Sequence, residues 1–209
     1  MAPDLWLAFV AASAVVLLIP GPTILLVLSY ALTQGRSVAL ATAAGVALGD
    51  LTAMTASLLG LGAIVLTSAL AFTALKWVGA VYLMWLGIKM LRGARHAELG
   101  QLTKTRPRDA RNVMGHAAVV TALNPKGIGF FIAFVPQFIN TGSPLAPQFA
   151  VMIATFVSLG ALNALAYALL ADRLRARIQR PAILQGLTRL GGVTLIGMGV
   201  LTATLRRAA

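Results

Sequence analysis

The sequence predicts an all-α integral membrane protein of six transmembrane helices, arranged as two inverted three-helix repeats with helices 1 and 4 broken. Three observations lead there. Of the 209 residues, 59% are hydrophobic and only 11% charged, with a mean hydropathy of +0.88, whereas a water-soluble domain needs roughly a quarter of its residues charged. The apolar residues gather into six runs, and crossing ~30 Å of hydrocarbon takes about 20 helical residues. Two of those runs, the first and the fourth, are interrupted by proline-containing breaks.

The runs cover residues 5–33, 38–66, 69–91, 113–139, 148–171 and 190–205, the last being the shortest. None alternates with a period of two, as barrel strands would, and backbone groups in lipid must be paired within the segment, so each reads as a helix. Residues 1–4 carry no Lys or Arg, and the apolar run behind them continues without a break to residue 19, so the first run is expected to remain rather than act as a removable signal. The whole chain, 1–209, then reads as a single transmembrane domain: repeat one over about 1–91, a cytoplasmic linker over about 92–112 and repeat two over about 113–209.

Charge sets the orientation. The net charge of +12 would suggest nucleic acid in a soluble chain, but here the cations sit in connectors between apolar runs, so nucleic acid is not expected as a partner. Arg36, Arg92, Arg95, Lys104, Arg106, Arg108, Arg111, Arg173, Arg175, Arg177, Arg180 and Arg189 fall on one side. Of the remaining cations outside the apolar runs, only Arg206 and Arg207 fall on the other. The positive-inside rule places the twelve in the cytoplasm and both termini outside, with the linker cations touching anionic lipid. Zero cysteines exclude disulfides, iron–sulfur clusters and thiolate metal sites. His96 and His116 lack a second ligand at metal spacing, so neither a metal nor a cofactor is expected.

The informative residues are those a lipid-spanning helix avoids. Pro20-Gly21-Pro22 removes two amide donors from the first run, and Asn124-Pro125-Lys126-Gly127 removes one from the fourth while placing an ammonium deep in apolar sequence. Both breaks lie in the first helix of their half, and three helices per half invert the second half relative to the first. A weaker likeness links Ala47-Leu48-Gly49-Asp50 to the stretch from Ser158 to Asn163. Each carries a polar residue soon after Leu-Gly.

Asp50 lies near the middle of the second run, where an unpaired carboxylate costs about 2.5–3.5 kcal/mol, so it must face protein or water. Gly45 and Gly49 precede it as G-x-x-x-G and are expected to let another helix approach closely. With helix 1 running inward and helix 4 outward, the second half of each begins within the membrane, near Pro22-Thr23 and near Lys126-Gly127. Two positive dipole ends therefore converge and, with Lys126, would suit a carboxylate. The first halves end at Ile19 and Leu123, where unpaired carbonyls together with Asp50 would suit an ammonium. The expected substrate site is Pro20, Gly21, Pro22, Thr23, Asn124, Pro125, Lys126, Gly127 and Asn163. Asp50 and Lys126 are the expected proton-coupling pair.

Four stretches, PGPTILLVLSYALTQGR (20–36), GVALGD (45–50), KWVGAVYLMWLGIKMLRG (76–93) and NPKGIGFFIAFVPQFI (124–139), resemble in order and spacing the signatures of the LysE/RhtB superfamily of amino-acid exporters. The resemblance implies a secondary exporter of the lysine, threonine, homoserine or leucine type in the bacterial inner membrane. It places the family's PGP element on Pro20, Gly21 and Pro22, its helix-two carboxylate on Asp50 and its NPK element on Asn124, Pro125 and Lys126. Small solute, protons and membrane lipid are the implied partners, with a homo-oligomer open. No G-x-x-x-x-G-K-[ST] motif occurs, so the energy must come from a gradient. An embedded enzyme would need a nucleophile–base pair or metal cluster that this composition does not supply. The alternative kept is a passive channel or metal-ion transporter on the same scaffold.

Overall fold

The computed structural model describes residues 1–67, 69–94, 109–140, 142–178 and 181–204. Among these, every regular element is helical: α1 (Pro3–Leu18), α2 (Pro22–Gln34), α3 (Ala39–Thr67), α4 (Ala69–Gly93), α5 (Ala110–Ala122), α6 (Pro125–Phe138), α7 (Leu145–Ile178) and α8 (Pro181–Thr204). Helix α6 starts as an α-helix, passes through a π-helical stretch at Phe130–Phe134 and closes in 3-10 geometry at Val135–Phe138. A 3-10 turn, Gly35–Val38, joins α2 to α3, and Gly35 enters it with φ of 70°, a conformation that side-chain-bearing residues avoid.

Helices α3, α4, α7 and α8 are each long and apolar enough to cross a membrane. The pairs α1–α2 and α5–α6, bent by 54° and 40°, bring the number of spans to six when each pair counts as one. The bends fall at the proline-containing sequences. Pro22 and Pro125 both stand in the first turn of the helix that follows, where the missing amide costs nothing, and neither could continue the helix before it.

Three boundaries differ from the sequence expectation. The last span starts at Pro181 rather than 190, which places Arg189 on the helix instead of in a connector. The helix of the fifth span continues past 171 to Ile178, so Arg173, Arg175 and Arg177 also lie on helical positions, although the stretch apolar enough to cross, Leu145–Ala171, ends where expected. A polar residue ends an apolar run but not a helix, because long cationic side chains reach the interface from the last turns. Likewise the 92–112 linker is shorter than expected, since α4 ends at Gly93 and α5 begins at Ala110. Its residues 95–108, His96 among them, lie outside the described residues, as do Ser68, Arg180, Arg206 and Arg207.

The exterior is apolar. Leu40, Leu59, Leu70, Val78, Leu162 and Val193 are all well exposed on the bundle surface, an arrangement that only a lipid solvent stabilises. Inside, α4 lies along α8, while α3 packs against α5 and α7 and α7 also touches α1 and α2. The seam between α3 and α5 runs over Gly45 and Gly49. A Cβ at Gly49 would stand 2.5 Å from the Ala118 carbonyl oxygen, and one at Gly45 2.7 Å from the Ala117 Cβ. Hydrogen at those two positions is what lets the helices meet backbone to backbone.

Candidate functional site

An α-helix leaves its last four carbonyls without intrahelical partners, and inside a membrane no bulk water takes them. At the end of α1 those carbonyls are Val16, Leu17, Leu18 and Ile19, and each is met by a distant side chain. Lys126 Nζ donates to Val16 O at 2.9 Å and to Ile19 O at 2.7 Å. Asn163 Nδ2 donates to Leu17 O at 2.9 Å, and the Tyr167 hydroxyl donates to Leu18 O at 3.0 Å. The break in helix one is thus closed by residues of α6 and α7. Lys126 is the only residue of this cap with an ionisable amine and is 8% exposed, its head placed at the carbonyl end of α1.

The second break is tied to the first. Asn124 occupies the N-cap of α6, its Oδ1 accepting the Lys126 backbone N–H at 3.0 Å, while its Nδ2 donates to Thr23 Oγ1 in the first turn of α2 at 2.9 Å. The start of α2 has no side-chain cap of its own. The two interruptions, about a hundred positions apart in sequence, are therefore adjacent in space.

Two cavities flank this junction. A small one, of about 30 Å³, is lined by Val16, Gly21, Thr23, Asp50, Thr121, Gly160 and other residues, with Lys126, Asn124, Gly127 and Asn163 on its wall. That is room for water-sized groups and not for an amino acid. A larger one, of about 340 Å³, lies between Pro20, Gly21, Pro22, Asn124, Pro125 and Lys126 on one side and Lys89, Met90 and Thr188 on the other. Lys89 and Met90 belong to the last turns of α4 and Thr188 to the first turns of α8, so this cavity lies toward the end of the bundle that carries the arginine-bearing helix ends. Gly21, Asn124 and Lys126 line both cavities and separate them.

Toward the opposite end the interior is filled by aromatic rings. Phe156, on the wall of the small cavity, stacks on Phe130 with centroids 5.7 Å apart and meets Phe131 edge-on at 4.8 Å; Phe134, Phe138 and Phe9 extend the cluster. Beside the junction, then, the room for a solute lies on the α4–α8 side and packed rings lie on the other.

Asp50, 6% exposed, is held in the small cavity, and its Oδ2 has no protein hydrogen-bond partner. Thr121 Oγ1, on the same wall, is likewise unpartnered. A Cβ added to Gly160 would fall on Asp50 Oδ2, so α7 admits the carboxylate only because residue 160 is glycine. Both hydrogen bonds recorded for the Lys126 ammonium go to carbonyls of α1, not to Asp50.

All the residues expected at the substrate site therefore line one cavity or the other. One expectation is corrected: the carbonyl at Ile19 is not left free for an ammonium, because Lys126 occupies it, and the Asn163 amide nitrogen is engaged at Leu17. Sequence reasoning missed Thr121, Phe156, Gly160 and Tyr167. A signal for part of this set was present, since Gly160, Asn163 and Tyr167 are spaced i, i+3, i+7 and share one face of α7. Among the described residues no group of three His, Cys, Asp or Glu could hold a metal. His116 instead shares a 2.8 Å hydrogen bond, through Nδ1, with the buried Tyr30 hydroxyl.

The family described as LysE type translocator matches residues 14–206. The chain is 34% identical to an uncharacterized membrane protein of Vibrio cholerae over 96% of its own length and 97% of the relative's. It is 32% identical to a homoserine/homoserine lactone efflux protein of Salmonella typhimurium over 97% and 98%, and 29% identical to a leucine efflux protein of Klebsiella pneumoniae over 66% and 65%. No solved structure matches. A match across nearly the whole chain, on a multi-pass helical fold, makes this protein a member of the LysE-type translocator family, a family of membrane transporters and not of enzymes.

Proposed function

We propose that the protein is a proton-coupled secondary exporter of an amino acid or close derivative across the bacterial inner membrane, with its site at the two helix breaks and both termini outside. The observation that carries this reading is the junction itself: two interrupted helices hydrogen-bonded to each other through Asn124 and Lys126, between a cavity large enough for a solute and a smaller one holding a buried carboxylate. Discontinuous helices with their ends turned into a cavity are how membrane transporters handle charged groups without bulk water. The arginine-bearing end is the cytoplasmic one on this orientation, so the larger cavity faces the solute to be exported and the aromatic cluster closes the outer side.

Relatives named for efflux of homoserine, homoserine lactone and leucine make small α-ammonium solutes the class to test first. A lactone has no free carboxylate, so the ammonium and its neighbouring carbonyl carbon are what these solutes share. In this reading Pro20, Gly21, Pro22, Thr23, Asn124, Pro125, Lys126, Gly127 and Asn163 form the solute's surroundings, and Asp50 with Lys126 exchanges the proton. The inverted-repeat arrangement draws support from reciprocal packing: α3 lies on the broken α5–α6 span, as α7 lies on the broken α1–α2 span. Intracellular amino-acid pools in cells with and without the protein test the proposal. Expression should lower the pool of one solute and raise it in the medium, and unchanged pools across the amino acids would overturn the reading.

A further inference from the structure

We propose that the Lys126 ammonium is a tethered stand-in for the ammonium group of the transported solute, holding the carbonyl end of α1 while the site is empty and giving that position up when a solute binds. The inference rests on the export reading above and adds to it which pole of the solute is recognised, and by what.

The argument begins with donor count. Of the three side chains that cap α1, Asn163 and Tyr167 are neutral and serve one carbonyl each, whereas Lys126 serves two, Val16 and Ile19. A primary ammonium has three N–H donors in a compact head, the same chemistry as the α-ammonium of an amino acid. Lys126 delivers it on a flexible four-carbon stem, which makes it removable in a way a backbone cap is not. Position supports the same conclusion. The Lys126 side chain lies on the wall between the larger cavity and the small one, so a solute entering from the larger cavity meets it directly. Its stem passes Gly21 at contact distance, a Cβ there standing 3.4 Å from both Cε and Nζ, so backbone of the first break borders the path of the side chain.

Displacement has a ready destination. Asp50 lines the same small cavity with its Oδ2 unpartnered, so an ammonium leaving the α1 carbonyls finds a carboxylate across that cavity. The solute ammonium would then hold Val16 O and Ile19 O while Lys126 pairs with Asp50. When the solute leaves, Lys126 returns, and the break is never without a cation. Such a carrier can cycle empty without exposing bare carbonyls in the membrane, and it binds only solutes able to replace an ammonium.

This account makes a prediction with an unusual sign. A residue that anchors the substrate carboxylate weakens binding when removed, but a competitor strengthens it, because apparent affinity is reduced by the fraction of sites already occupied. The experiment uses purified full-length protein in detergent, with dissociation constants for L-homoserine and L-leucine measured by calorimetry on wild type, Lys126→Gln and Lys126→Met. Gln keeps a donor for the carbonyls without the charge. Isopentylammonium, which is leucine without its carboxylate, and 4-methylpentanoate, which is leucine without its ammonium, complete the set. The expected result is Kd at least about tenfold lower in both variants for the amino acid that wild type binds, new binding of isopentylammonium, no binding of 4-methylpentanoate, and slower turnover in vesicles. Equal or weaker binding in the variants, with wild type binding intact, overturns the stand-in and leaves the export reading standing. If no amino acid in a full panel binds wild type, the export reading falls and takes this proposal with it. Should both variants fail to fold, ethylammonium during extraction must restore them; failure to do so assigns Lys126 a purely structural role and ends the proposal.

Discussion

Asp50 and Gly160 form a matched pair: a carboxylate buried in the bundle, and the one residue type on the facing helix that leaves it room. Replacing Asp50 by Asn preserves size and removes the charge. On the coupling proposal, Asp50→Asn inserts and expresses normally but no longer accumulates solute against its gradient when a pH difference is imposed. Flux measurements in vesicles at two imposed pH gradients check this, and wild-type pH dependence in the variant would move the proton to another residue. Gly160→Ala probes the same group from across the cavity. The added methyl displaces the carboxylate while leaving its chemistry intact, so transport should fall about tenfold or more with the protein still in the membrane, a misplacement effect rather than a loss of charge. Asp50 was legible from sequence because a carboxylate in an apolar run has few innocent explanations. Gly160 was not, since one glycine among 20 looks like any other until the facing side chain is known.

The elements that matter most are the interrupted ones. Breaks at Pro20-Gly21-Pro22 and Asn124-Pro125 follow from local rules: missing donors, ring clashes and a capping side chain act within a few residues and need no partner. What joins the two breaks is Asn124, which caps α6 through Oδ1 and reaches Thr23 in α2 through Nδ2. Asn124→Ala removes both contacts and should destabilise the fold by about 1–2 kcal/mol, whereas Asn124→Asp keeps an acceptor for the cap and should recover about half of that. Thermal unfolding of the two variants in one detergent gives the comparison. Equal stability of Asn124→Ala and wild type would mean that the two breaks are held together by Lys126 and packing alone.

At the level of the whole molecule, orientation remains the most direct thing to test. Twelve cations assigned to one face against two on the other predict a cytoplasmic connector after α4 and outward termini. The chain has no native cysteine, so Thr103→Cys gives a single reporter in that connector. In intact cells it should resist a membrane-impermeant thiol reagent and become labelled only after permeabilisation. Labelling from the periplasm without permeabilisation would invert the topology and make the larger cavity an outward one.

The sequence by itself determined that the chain is a multi-pass membrane protein, where two of its helical runs break and which titratable residues lie inside, because each of these depends on composition or on neighbours a few positions apart. It left span ends uncertain: α8 begins nine residues before the apolar run at 190 suggests, since arginine can ride on a helix end that hydropathy alone would cut away. Tertiary structure alone decided what the breaks do. The carbonyl end of the first half-helix, at Ile19, looked free from sequence, yet it and the carbonyls of Val16, Leu17 and Leu18 are met by residues 107 to 149 positions away. An orphaned backbone group in lipid must find a donor, and local sequence says that a donor is needed. Which donor supplies it is set by the packing of α6 and α7 against α1, and here the donors are Asn163, Tyr167 and the lysine that the sequence had assigned to the solute.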